Sequence, residues 1–75
     1  MIEGSVVSYR RVFVRNWWRW VAGPRGIRRR VPHPGRQTTI GRHLTYDEAR
    51  RVAREYNESH DPGPLSRKAE FERER

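Results

Sequence analysis

TYDEARRVAREYNE, Thr45 to Glu58, reads as one amphipathic helix with its start signal in place. Thr45 is an N-cap residue and Glu48 stands three positions on, the spacing of a capping box. Asp47 and Glu48 complement the positive end of the helix dipole. Ala49, Val52, Ala53 and Tyr56 recur at i, i+3, i+4 and i+7, so one apolar stripe faces a core. Asp47–Arg51, Arg51–Glu55 and Arg54–Glu58 are spaced as ion pairs on the other side. The spacing predicts a helix from Tyr46 to Glu58, stopped by Asp61-Pro62-Gly63-Pro64.

Upstream the period changes from helical to alternating. Val6–Val14 reads as a strand, with Val6, Val12 and Val14 on one face and Tyr9, Arg11, Phe13 and Arg15 on the other. Asn16 is expected to turn the chain into a second strand, Trp17–Ala22, where Trp18, Trp20 and Ala22 share a face. Gly23-Pro24-Arg25-Gly26 and Pro32-His33-Pro34-Gly35 are turn signals. Between them Ile27–Val31 is extended, readable as a continuation of the second strand past a bulge, and Arg36–Arg42 reads as a short third strand. The expected fold is α+β: a three-stranded antiparallel sheet packed against one C-terminal helix, followed by a flexible charged tail. The helix stripe is expected to meet Val12, Val14, Trp18 and Trp20. Residues 1–61 form the domain. Residues 62–75 offer only Leu65 and Phe71 as large apolar groups, so they read either as disordered or as a short helix capped by Ser66, dispensable for folding.

Seventy-five residues suffice for one small domain. There is no cysteine to form a disulfide or a thiolate metal site, no long apolar run, and no basic-then-apolar leader at Met1–Ser5. The expectation is a soluble cytoplasmic protein of a bacterial or phage-infected cell. The serines lie in no nucleophile motif, and His33, His43 and His60 are scattered. No catalytic group, metal or cofactor is therefore expected, and His60-Asp61 reads as a helix terminus rather than a metal site.

Charge carries the functional signal. From Met1 to Tyr46 the one acid, Glu3, faces ten arginines, a balance of +9; from Asp47 to Arg75 eight acids face seven bases, a balance of −1. Such asymmetry points to a polyanionic partner. Arg11, Arg15, Trp17 and Arg19 share a parity that would project them from one sheet face, where arginine forks suit phosphates and guanine edges. Arg28-Arg29-Arg30 is a second cluster, readable either as a phosphate grip or as a solvated run, with Arg28 and Arg30 as its candidate contacts.

Three segments in order complete this reading. Tyr9-Arg10-Arg11-Val12, Arg15-Asn16-Trp17-Trp18-Arg19-Trp20-Val21-Ala22, and Ile40-Gly41-Arg42-His43-Leu44-Thr45-Tyr46-Asp47-Glu48-Ala49, with Ala53 and Tyr56 beyond, resemble the plant ethylene-response-factor (APETALA-type) DNA-binding domain. Domains of phage and transposon integrases and of homing endonucleases share its fold. The resemblance spans Tyr9 to about Asn57. It implies a three-stranded sheet that lies in the major groove, with contacts from Arg10, Arg15, Trp17 and Arg19. Phe13 stands where the family carries a DNA-reading arginine, Arg11 and Trp18 replace motif glycines, and Thr39 replaces a contacting tryptophan. The segment from Gly23 to Gly35 is also longer. Double-stranded DNA is thus the expected partner, in a phage or mobile-element regulator of transcription or recombination. RNA and an acidic protein surface, such as that of a host complex blocked by a phage inhibitor, are the alternatives.

Overall fold

A computed structural model describes residues 8–74. The elements run β1 (Arg10–Asn16), β2 (Trp18–Ala22), β3 (Arg28–Pro32), β4 (Thr38–Leu44), α1 (Tyr46–Ser59) and β5 (Arg67–Arg73). A three-stranded antiparallel sheet of order β4-β1-β5 packs against α1, and β2 and β3 pair with each other in a separate two-stranded ribbon. The expected α+β class, sheet and single helix, is present. Val6 lies outside the described residues.

The third strand of the sheet is the segment that was expected to be a flexible tail. Arg67–Arg73 pairs with β1 residue for residue, from Asn16 opposite Arg67 to Arg10 opposite Arg73. The helix is therefore not the last element. The physical reason is a period-two pattern inside a charged run. Ala69 and Phe71 face Val14 and Val12 on the helix side, while Lys68, Glu70 and Glu72 fall on the outer face. Ser66 caps no helix; it sits in a turn with φ 52°. The amide side chain of Asn57 reaches from α1 to the free edge of β5, donating to the Ala69 carbonyl at 3.1 Å and accepting from the Ala69 N–H at 2.8 Å. That bracket occupies backbone groups an edge strand would otherwise present to another chain.

Val12, Val14, Ala49, Ala53 and Ala69 form the buried cluster, with Leu44, Val52, Tyr56 and Phe71 packed around it. The helix stripe and the two valines thus meet as expected. Trp18 and Trp20 do not join them: they are 39% and 41% exposed. They stand on β2, in the separate ribbon, beyond the three strands against which α1 packs. Helix entry follows the sequence signal. Thr45 Oγ1 accepts from the Glu48 N–H at 3.3 Å, and the Glu48 carboxylate accepts from the Thr45 N–H at 3.0 Å.

Asn16 does not reverse the chain. β1 runs on through Trp17 into β2, and the reversal comes at Pro24–Gly26, where Arg25 and Gly26 take positive φ. β3 then returns beside β2 and β4 beside β1. Together they form one long hairpin, interrupted where Pro32 and Pro34 have no N–H to donate. His33 N–H to the Trp17 carbonyl (3.2 Å) and Gly35 N–H to the Asn16 carbonyl (2.7 Å) carry the pairing across the gap. β4 pairs irregularly: its four residues Gly41 to Leu44 lie opposite three of β1, Arg10 to Val12, and His43 is pushed to φ 59°. These bulges twist the outer edge of the sheet.

The end of β5 is fastened beside β4. Glu74 accepts from the His43 backbone N–H at 2.8 Å, and its own N–H donates to the Tyr9 carbonyl at 2.9 Å. The His43 ring stacks on Tyr9 at 3.9 Å. The His43 N–H holds the Glu74 carboxyl below its ordinary value, and the Thr45 N–H followed by its hydroxyl does the same for Glu48.

Two outcomes are expected. Ending the chain at Pro64 removes β5 and exposes Val12 and Val14, so circular dichroism should show no cooperative melt, in contrast to a dispensable tail. The second concerns acid. Both depressed carboxyls bind protons less readily folded than unfolded, so their stabilisation is complete above the ordinary carboxyl value of 4.5 and is lost as pH falls through their lower folded values. The melting temperature should fall on that acid side, and less steeply in a Glu48→Gln/Glu74→Gln variant.

Candidate nucleic-acid interface

The expected face of Arg11, Arg15, Trp17 and Arg19 is divided by the fold. Arg11, Phe13 and Arg15 do project together from the outer face of β1. Phe13, though on the side away from α1, is only 4% exposed, because guanidinium groups cover it. The Arg11 and Arg15 guanidinium carbons lie 4.7 and 5.4 Å from its ring centre. Arg15 also lies 4.0 Å over the ring of Trp17, where the Arg15 Nε and Trp17 Nε1 atoms are enclosed without a hydrogen-bond partner. These side chains close a small outer core by their flat surfaces.

This outer face also carries acid. β5 sets Glu70 beside Phe13 and Glu72 beside Arg11. Arg11 forms an ion pair with Glu72 and donates to Gln37 and to Thr39 Oγ1. Repulsion among the arginines of this face is relieved from within the molecule, by acids distant in sequence. Arg10 points to the opposite face, with its guanidinium carbon 5.6 Å from the Tyr46 ring centre and an NH1 donating to the Ser8 carbonyl.

The uncommitted charge lies on the ribbon. Between Trp17 and Arg36 the chain holds Arg19, Arg25, Arg28, Arg29, Arg30 and Arg36 and no acid. The register places Trp18, Trp20, Arg28 and Arg30 on one face, and Arg19, Val21, Arg29 and Val31 on the other. On the first face tryptophans and arginines interleave. Arg28 lies 5.5 Å from the Trp20 ring centre; Arg30 lies 5.9 Å from that of Trp18 and 6.0 Å from that of Trp20. All four side chains are exposed. Such an array presents flat apolar surface and fixed positive charge together, which suits sugar–phosphate and base surfaces.

The ribbon is held at its base. The backbone N–H groups of Trp17 and Trp18 donate to the Leu65 carbonyl at 3.1 Å, and Arg30 donates to the Pro64 carbonyl at 2.7 Å. The turn at Pro62–Ser66, which follows directly on the helix and overlaps the Asp61-Pro62-Gly63-Pro64 stop, thus also anchors the ribbon. Sequence reasoning placed Trp18 and Trp20 in the core and so missed them as surface groups. The signal was present: WRW and RRR lie close on either side of a GPRG turn, the pattern of a hairpin whose facing residues are aromatic and basic.

An open depression of about 1100 Å³ is lined by Arg11, Arg42, His43, Glu72, Arg73 and Glu74, where the acids offset the bases. His60 stacks on Tyr56 at 3.9 Å, with Nδ1 2.9 Å from the Tyr56 carbonyl. Among the described residues no group of three or more His, Asp or Glu is arranged to hold a metal ion, and no helix is long and apolar enough to cross a membrane. Comparison with family models, with curated proteins and with solved structures finds no match for this chain.

The two arginine classes should separate on mutation. Arg15→Ala uncovers Phe13 and Trp17 and is expected to lower stability by about 1–3 kcal/mol, the scale of losing a packed guanidinium and its aromatic contacts. Arg28→Ala, on the exposed ribbon, is expected to leave the denaturation midpoint unchanged.

Proposed function

We propose that this protein binds duplex DNA, and that the β2–β3 ribbon rather than the three-stranded sheet is the element that docks. One observation carries the reading: an exposed, acid-free ribbon on which Trp18 and Trp20 alternate with Arg28 and Arg30, outside any core. A two-stranded ribbon has a width the major groove admits, and its two edges lie where phosphates of opposite strands can be reached. The sheet is less suited, since α1 covers one face and Glu70 and Glu72 stand on the other. The resemblance to a domain that reads DNA with strands supports the same class of partner. It also carries the suggestion of a phage or mobile-element regulator of transcription or recombination.

In mechanism, arginines on phosphates displace condensed counterions and supply most of the affinity, independent of sequence. The tryptophans exclude water beside sugars and thymine methyl groups. The anchored base fixes the ribbon's direction relative to the sheet, so less freedom is lost on docking.

About five phosphate contacts would give a log–log salt slope near −4 to −5 on duplex DNA. Arg28→Ala/Arg30→Ala should reduce that slope by about 2 and weaken binding at every sequence alike. Trp18→Ala should weaken binding without changing the slope, and Arg50→Ala on the helix should do neither. Fluorescence anisotropy across a salt series measures all four. Tighter binding to single strands in direct competition would instead favour base stacking on the two indoles, and failure to bind any nucleic acid at low salt would overturn the reading.

A further inference from the structure

At the far end of the ribbon stands an isoleucine whose side chain is left on the surface. Ile27 is 67% exposed, more than any other large apolar side chain among the described residues that lies on the surface. A lone exposed aliphatic group is ordinary. This one is set apart by the backbone that carries it. The Gly23 N–H donates to the Ile27 carbonyl at 2.6 Å, and the Ile27 N–H donates to the Pro24 carbonyl at 3.3 Å. A Cβ at position 23 would lie 2.6 Å from the Ile27 carbonyl oxygen, so the close approach that locks the turn requires glycine there. Pro24 fixes its own φ, and Arg25 and Gly26 complete the reversal at φ 62° and 74°. The turn is thus stiff, apolar at Pro24 and Ile27, and flanked by Arg25, Arg28 and Arg29 without an acid nearby in sequence.

We propose that this tip is a wedge: Ile27 enters duplex DNA between adjacent base pairs, while the flanking arginines hold phosphates on either side. Apolar side chains driven into a base step unstack it and kink the duplex. The energy of unstacking is least at pyrimidine–purine steps, so the target is a TA or CA/TG step rather than a stiff A-tract. A turn held by two hydrogen bonds and a proline presents the side chain with little left to order on binding. The wedge rests on the DNA-binding reading above and adds to it a mode of deformation and a preference among steps.

The test uses the full chain and a short duplex with a fluorophore at each end and 2-aminopurine beside a central TA step. Binding should bring the ends together, as a kink of about 20–90° requires, and should raise the 2-aminopurine fluorescence. Both signals should be weaker when the TA step is replaced by AA. Ile27→Ala should still bind, with the same salt slope and melting temperature, but lose both signals; Ile27→Leu should keep them. A wild-type complex whose duplex stays straight and stacked would overturn the wedge and leave the DNA-binding reading standing, as would an Ile27→Ala complex kinked like the wild type. No complex at low salt would overturn both, and the titration itself distinguishes that result.

Discussion

The pairing of β5 with β1 is the contact on which the rest of this structure depends. β1 is the central strand, and its inward residues Val12 and Val14 are the largest fully buried side chains among the described residues. Without β5, one side of that row faces water. Seven consecutive register positions bring Ala69 and Phe71 over it, and Asn57 brackets the new edge from the helix. A chain of this length has little apolar area to spare, so the last strand completes the core rather than decorating it.

The same pairing decides which arginines are free. β5 is charged on its outer side, and it delivers Glu72 to Arg11 and Glu70 to the rim of Phe13. Arg11 and Arg15 become walls around a buried phenylalanine. β5 begins in sequence at Arg67, opposite Asn16, and the three-stranded sheet reaches no further along β1 than that point. The hairpin formed by β1 and β4 continues beyond that point as β2 and β3, with neither helix nor third strand to cover it. The ribbon is therefore left as an overhang with its tryptophans and arginines on the surface.

Exposing two indoles and an isoleucine on a small protein lowers solubility and contributes nothing to the core. The surrounding arginines moderate this, since their flat guanidinium groups lie near the Trp18 and Trp20 rings while their charges keep copies apart. Anchoring at Pro64 and Leu65 ties the ribbon to the turn that starts β5. Stability of the sheet and placement of the ribbon are thus coupled through one short segment, Pro62–Ser66.

Local signals determined much of this on their own. The capping box at Thr45 and Glu48, the stripe from Ala49 to Tyr56, and the parity that separates Val12 and Val14 from Arg11, Phe13 and Arg15 are all legible in the sequence, because each depends on neighbours within a few positions. The acid-free basic stretch is legible for the same reason. What the sequence left open was the choice of partner for each strand. Asn16 and the GPRG turn were both plausible reversals, and only pairing energy over the whole hairpin selects the second. The alternation in Lys68-Ala69-Glu70-Phe71-Glu72 was there to read, but two small or isolated apolar residues in a charged run cannot bury enough surface to order themselves. They become a strand only where Val12 and Val14 offer the other half of a core, and that meeting of residues more than fifty positions apart is a property of the tertiary structure alone.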